Sequence, residues 1–169
     1  MADLIQIRTA TDADIGAITA IYRHFVLRHT ATFEIEPPDE SEMQARMQRI
    51  RHQDLPCLVA LHNEVVIGYC YVTPYRPRAA YRFTVEDSVY IAPDHHGKGV
   101  GRLLLMRLLE IVASLGYREV IAIIGDSNNR ASINLHRKAG FVDVGILRNV
   151  GYKFGRWLDT AIMQFTVPK

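Results

Sequence analysis

A chain of 169 residues, 49% hydrophobic and 22% charged, is long enough to close a core of its own, and its composition excludes a disordered, fibrous or disulfide-stapled protein. Twenty Lys+Arg against 18 Asp+Glu leave a net charge of +2, too little for an extended nucleic acid or an anionic membrane surface as general partner. Only four of the basic residues are Lys. The rest are Arg, the side chain that grips planar anions through paired hydrogen bonds, so their placement matters.

In chain order, Met1-Ala2-Asp3-Leu4 offers no basic and apolar leader, and no apolar run approaches the roughly 20 residues of a membrane span. A single cytoplasmic domain over 1–169 is therefore expected. Residues 5–8 alternate like a first strand. Thr11 or Asp12 can cap a helix running to about Leu27, with Ile15, Ile18, Ile21, Tyr22 and Phe25 on one face. Residues 34–42 hold five acids and Pro37-Pro38 and read as a loop, with a second helix beginning at Ser41. Residues 55–61 and 65–72 form a hairpin about His62-Asn63-Glu64. Cys57 and Cys70 fall in these apolar runs and read as buried free thiols. Another strand covers 85–91. A helix from Gly99 carries the stripe Val100, Leu104, Leu108, Ile111 and Leu115. Residues 120–124 make an apolar strand, 129–138 a short helix stopped at Gly140, and 141–167 two strands about a glycine-rich bend. This alternation is that of a mixed α/β domain.

The most informative run is Val89-Tyr90-Ile91-Ala92-Pro93-Asp94-His95-His96-Gly97-Lys98-Gly99-Val100-Gly101-Arg102. A strand ends, a glycine-rich turn follows and a helix begins. The first amides of a helix lack internal partners and sit at its positive pole, so a phosphate or pyrophosphate fits there. Taken alone, a plain glycine-containing turn explains the same residues. A P-loop is excluded because Gly97-Lys98-Gly99 is not followed by Ser or Thr in the needed place. A dinucleotide fingerprint is excluded because the third glycine comes one position early and the turn follows several strands.

Residues 96–102 resemble the pyrophosphate loop of the GNAT superfamily of N-acetyltransferases, Q/R-x-x-G-x-G/A. Gly99 and Gly101 match, and His96 stands where Gln or Arg is usual. Asn129-Arg130-Ala131-Ser132 and Leu135-His136-Arg137-Lys138-Ala139-Gly140-Phe141 are similar to the superfamily's second CoA-side element. Thr32-Phe33, the run 81–90, Ile123-Ile124-Gly125 and the run 151–159 resemble the phosphinothricin N-acetyltransferase branch. The resemblance implies a GNAT-like mixed sheet of about seven strands flanked by about four helices, in the order β-α-α-β-β-β-α-β-α-β-β. It implies acetyl-CoA as co-substrate, no metal and a homodimer. It places Val89, Tyr90 and Ile91 along the pantetheine arm and thioester. His96, Gly97, Lys98, Gly99, Val100, Gly101 and Arg102 fall at the pyrophosphate, and Asn129 and Ser132 on the second element. Phe33, Arg76, Arg78, Tyr81 and Val85 fall at the acceptor pocket, with Lys153 and Arg156 as further candidates.

Acetyl transfer to an amine needs a neutral nitrogen, and a carboxylate can take its proton. By spacing Glu86 is either that base or an ordinary strand-end acid in solvent, and the resemblance favours the base. Asp87 points to the opposite face. His136 is either a packed helix histidine or, where the superfamily often has Tyr, the acid that protonates the thiolate or a CoA contact. His95 and His96 lack further ligands for a metal. Residues 73–82 carry Arg76, Arg78 and Arg82 and no acid, which suits an acceptor carboxylate or phosphinate and also suits a solvated loop. The expected activity is acetylation of the α-amine of a small amino-acid-like molecule of the phosphinothricin, methionine sulfoximine or methionine sulfone type. The alternatives are a peptide N-terminus or a polyamine, against which the acid-free 73–82 loop argues while the acids at 34–42 leave it open, or a non-catalytic acyl-CoA-binding protein, which the presence of Glu86 disfavours.

Overall fold

The computed structural model describes residues 4–168, so Met1, Ala2 and Asp3, on which the leader reading rests, lie outside the described residues. The expected order is found: β1 (Gln6–Thr9), α1 (Ile15–Arg28), α2 (Glu40–His52), β2 (Cys57–His62), β3 (Val65–Pro74), β4 (Thr84–Ile91), α3 (Val100–Ser114), β5 (Glu119–Gly125), α4 (Arg130–Lys138), β6 (Val142–Lys153) and β7 (Arg156–Thr166). The strands form one sheet in the order β1-β2-β3-β4-β5-β7-β6. Each neighbouring pair is antiparallel except β4 and β5, which are parallel and connected through α3.

Local chemistry accounts for the junctions. Asn63 and Glu64 hold φ of 49° and 65°, and Phe154 and Gly155 hold 52° and 73°. Two consecutive positive-φ residues form the mirror-image turn that suits the twist of a two-residue hairpin. Asp39 Oδ1 accepts the Glu42 amide at 2.8 Å. This cap starts α2 at Glu40, one residue before the expected Ser41, and puts Glu40 and Glu42 in the first helical turn, where the dipole favours acids. The segment 34–42 is thus part loop and part helix.

The two faces of the sheet carry different layers. Tyr69, Tyr71 and Tyr90 share one face, where Tyr22 and Phe25 of α1 pack on the Tyr90 ring at 5.2 and 5.3 Å between centroids. On the other face the Cys70 thiol reaches the Leu104 carbonyl of α3 and Asp87 meets His136 of α4. Within α3 the buried residues are Val100, Leu104, Leu105, Leu108, Leu109 and Val112. The expected stripe is broader and rotated, because α3 presents two adjacent rows to the sheet. Leu115 falls just past the helix and is exposed.

Leu108 is fully buried. Leu108→Ala is expected to lower the unfolding free energy by about 2–5 kcal/mol, read as an earlier midpoint in a urea titration.

Candidate active site

β4 and β5 are hydrogen-bonded neighbours only from Thr84, Val85, Glu86 and Asp87 to Glu119, Val120, Ile121 and Ala122. Beyond that, β4 stays on β3 as far as Ile91 and β5 stays on β7 as far as Gly125. The two strands part at Asp87 and Ala122, and a cleft of about 770 Å³ opens between them. Residues 87–91 line one wall, 122–126 the other, and the 95–102 turn and α4 close its end. The inner backbone edges of both strands have no strand partner there. An extended ligand with amide groups can add to such an edge as a further strand would.

At the end of β4 the chain makes a 3-10 turn, Pro93–His95, then passes Gly97 and Gly99 at φ 73° and 81° into α3. A Cβ at Gly99 would meet nothing within 4 Å, so that glycine is required by its left-handed backbone and not by crowding. Gly101 is different: a Cβ there would lie 3.2 Å from Leu135 of α4. His96 Nε2 is hydrogen-bonded to the Ile91 carbonyl at 2.8 Å, so its ring bridges the turn back to the strand. Every residue expected to contact CoA lines the cleft except Lys98, whose side chain is exposed. Asn129 caps α4 by accepting the Ser132 amide at 3.2 Å, which brings both into the cleft wall.

Glu86 and Asp87 sit side by side where the strands part, on opposite faces. Glu86 lies on the α1/α2 face opposite Thr73. Burial raises its carboxyl above the ordinary value, Asp87 adds to the rise and Arg76 opposes it. Asp87 Oδ2 lies 2.9 Å from His136 Nε2, with the two side chains 0% and 5% exposed. His136 Nδ1 donates to the Ser132 carbonyl at 2.8 Å. Burial alone would lower the His136 pKa, but the Asp87 charge and hydrogen bond, with the Ser132 carbonyl, raise it overall.

The acceptor-side expectations divide. Arg76 stacks on Tyr75 at 5.1 Å and is electrostatically coupled to Glu86. Arg78 and Tyr81 are exposed on the same loop, and Arg82 is turned onto Phe83 at 4.5 Å. The Val85 side chain is fully buried on the face away from Glu86, so strand alternation removes it from the acceptor pocket. Phe33 packs into the space left by Gly125 and Gly151; a Cβ at Gly151 would fall 2.2 Å from its ring. Lys153 and Arg156 are committed elsewhere. Buried Lys153 donates to the carbonyls of His29 and Thr32 at 2.9 and 2.7 Å. Arg156 donates to Asp126 Oδ2, which also accepts from Thr30 at 2.9 Å. These bonds clasp the 29–33 loop to the β6–β7 hairpin. The sequence reading missed this clasp, and it missed Asp87 as a partner for His136. The signal for the latter was a carboxylate on the core side of an apolar strand, a position that demands a partner.

Among the described residues no group of three or more His, Cys, Asp or Glu could hold a metal ion.

The acetyltransferase (GNAT) family model matches residues 18–141. A phosphinothricin N-acetyltransferase of Alcaligenes faecalis is 53% identical, over 94% of this chain and 80% of that protein. An L-methionine sulfoximine/L-methionine sulfone acetyltransferase of Salmonella typhimurium is 42% identical, over 94% and 92%. The crystal structure of a GNAT superfamily phosphinothricin acetyltransferase from Sinorhizobium meliloti in complex with AcCoA superposes with a TM-score of 0.94 at 46% identity, covering 96% of this chain and 88% of that one.

A side chain at Gly99 would strain the left-handed turn by about 1–2 kcal/mol. Gly99→Val is accordingly expected to weaken CoA binding on the order of tenfold in a calorimetric titration.

Proposed function

The chain belongs to the GNAT family and is an acetyl-CoA-dependent N-acetyltransferase; within that class we propose that its acceptor is the α-amine of a small amino-acid-like molecule, with Glu86 as general base. The acceptors in view are those of its relatives, phosphinothricin and methionine sulfoximine or sulfone. The observation that carries the reading is Glu86 itself: a half-buried carboxyl of raised proton affinity where β4 and β5 part, with the Arg76 charge beside it. A zwitterionic amino acid offers its amine to the former and an anionic group to the latter.

The steps follow from this placement. The pantetheine arm lies along the free edges of β4 and β5, and its pyrophosphate on the amides of 97–102. Glu86 takes a proton from the amine, directly or through one water. The nitrogen lone pair attacks the acetyl carbon, a C–N bond forms, and the C–S bond breaks with its electron pair going to sulfur; the nitrogen's second surplus proton leaves as the amide forms and, through water, balances the one that the thiolate takes up. Cys70 takes no part: it is fully buried and burial pushes its thiol far up. A polyamine is disfavoured because three of the five acids at 34–42 are engaged within the chain. Glu34 and Glu42 pair with Arg46, and Asp39 caps α2.

We also propose a homodimer through β6. This edge strand carries the exposed Val144, Ile146, Val150 and Tyr152, continued by Trp157 on β7. A long apolar edge is a surface that a second copy covers. Among the described residues no helix is long and apolar enough to cross a membrane, and the cytoplasm remains the proposed compartment.

Release of thiol from acetyl-CoA with these amines is the test; wild-type rates equal to buffer across a panel of amino acids would sink the acceptor assignment. Glu86→Gln should lose on the order of 10²–10⁴-fold in turnover. Because the Glu86 pKa is raised, wild-type turnover should fall as pH drops through that raised value, and the variant should lack this limb. Ile146→Asp is expected to shift sedimentation from dimer to monomer; a wild-type monomer would remove the dimer.

A further inference from the structure

The residues expected to hold an acceptor side chain are otherwise engaged or open to solvent. Val85 faces the core, Phe33 is packed against Gly125 and Gly151, and Arg78 and Tyr81 are exposed. A second cavity, of about 260 Å³, lies beside them. Tyr69, Tyr71 and Thr73 of β3 form one wall, and α2 lays Met43, Met47 and Ile50 over it. Thr73 is the register partner of Glu86, and Tyr71 that of Ser88. Residues paired directly across two strands share a face, so the cavity is on the same side of the sheet as Glu86, one strand spacing of about 4.8 Å away. Ser88 in turn lines the acetyl-CoA cleft. Glu86 thus stands between the two cavities.

The lining of this second cavity combines apolar surface with hydrogen-bond donors, and no carboxylate lines it. Most of its polar groups are taken. The Tyr22 hydroxyl is bonded to Thr32 and Glu34, and that of Tyr71 to Ser88. Arg46 is paired with Glu34 and Glu42. Two groups are left. Tyr69 is 1% exposed, and its hydroxyl has no hydrogen-bond partner among the described residues. A buried phenol O–H calls for an acceptor, and burial keeps its proton on by pushing its pKa far up. Arg49 is exposed at the mouth and reaches Glu42 only at 3.5 Å.

Taking the amino-acid acetylation reading above as its basis, we infer that this cavity is the specificity pocket for the acceptor's side chain: it takes an unbranched stem whose tip bears hydrogen-bond-accepting oxygens, with Tyr69 donating to that tip and Arg49 drawing its negative end. With the amine at Glu86 and the carboxylate at Arg76, the side chain leaves the α-carbon across Thr73 and lies between the methionines of α2 and the tyrosines of β3. Pockets for whole ligands run from about 300 to 1,000 Å³, so a cavity of about 260 Å³ is the size for part of one. Met43 and Met47 are unbranched and adapt to an unbranched stem. A cationic tip would meet Arg46 and Arg49 and no carboxylate. A bare thioether tip would leave the Tyr69 O–H unpaired. A sulfone, sulfoximine or phosphinate oxygen satisfies it.

The test compares two acceptors in the thiol-release assay, methionine sulfone and methionine, which share a stem and differ by the two oxygens at the tip. In the wild type kcat/KM for the sulfone should exceed that for methionine by on the order of tenfold or more, the size of one hydrogen bond left unmade in a buried site. Tyr69→Phe should cut this preference by about tenfold, and Arg49→Gln should cut it by about threefold. The ratio is the readout because a merely structural loss lowers turnover of both acceptors alike and leaves it unmoved. A wild type without the preference overturns the assignment, and so does a folded Tyr69→Phe enzyme whose ratio matches that of the wild type. Should Tyr69→Phe fail to fold, Arg49→Gln decides, since it lies on an exposed helix surface: an unchanged ratio there overturns the pocket. Failure of the acetyl-transfer reading looks different, because the wild type would then release no thiol with any amine.

Discussion

The parting of β4 from β5 is the constraint on which the rest depends. Parallel strands that pair over four rungs and then separate leave two backbone edges with unmet hydrogen bonds, and such edges are tolerated only where water or a ligand reaches them. The gap is held open from both sides. β4 is kept on β3 to the rung Ile91–Gly68, and β5 is kept on β7 to the rung Gly125–Thr160. Gly68 has no room for a side chain, since a Cβ would lie 2.8 Å from the Ile91 side chain and 3.0 Å from the Tyr90 carbonyl. Gly125 is equally closed, with the Thr30 carbonyl 2.6 Å from where its Cβ would be. A side chain at Gly68 would press on the end of β4, and one at Gly125 on the 29–33 loop.

The second wall is fixed by charge. Asp126 holds a positive φ of 67°. The Asn128 amide, the Thr30 hydroxyl and Arg156 together outweigh burial and keep its carboxyl ionised below the usual range. Its amide donates to the Asp159 carbonyl at 2.9 Å. Lys153 adds two donors to the carbonyls of the 29–33 loop, and burial lowers its pKa. The loop above the acceptor side, the end of β5 and the β6–β7 hairpin are therefore one hydrogen-bonded unit. The exposed apolar edge of β6 belongs to the same hairpin.

Local signals made most of the fold legible. Alternation and apolar runs marked every strand, and the glycine-rich turn after 91 announced the anion site, because left-handed glycines before a helix have few other uses. What stayed hidden depends on distance along the chain. His136 finds Asp87 across 49 positions and Lys153 finds Thr32 across 121, and no spacing rule reaches that far. The Arg excess had the same fault. It suggested anionic ligands, yet Arg8, Arg46, Arg137, Arg148 and Arg156 hold carboxylates of the chain itself. Arg76, on the acid-free loop, is left coupled to Glu86. Val85 was drawn into the acceptor pocket by its neighbours in the motif, and strand alternation takes it out again.

Alternation also explains how one strand can carry two adjacent acids. Consecutive residues face opposite sides, so Glu86 lies on the α1/α2 face opposite Thr73 while Asp87 meets His136 of α4 on the other. Two carboxylates one residue apart would repel, and Asp87 does raise the Glu86 pKa. Burial is the larger cause of that rise, and Arg76 opposes both. The Asp87 carboxyl is turned to His136 on the other side of the sheet, so alternation alone gives two neighbouring acids of β4 separate surroundings.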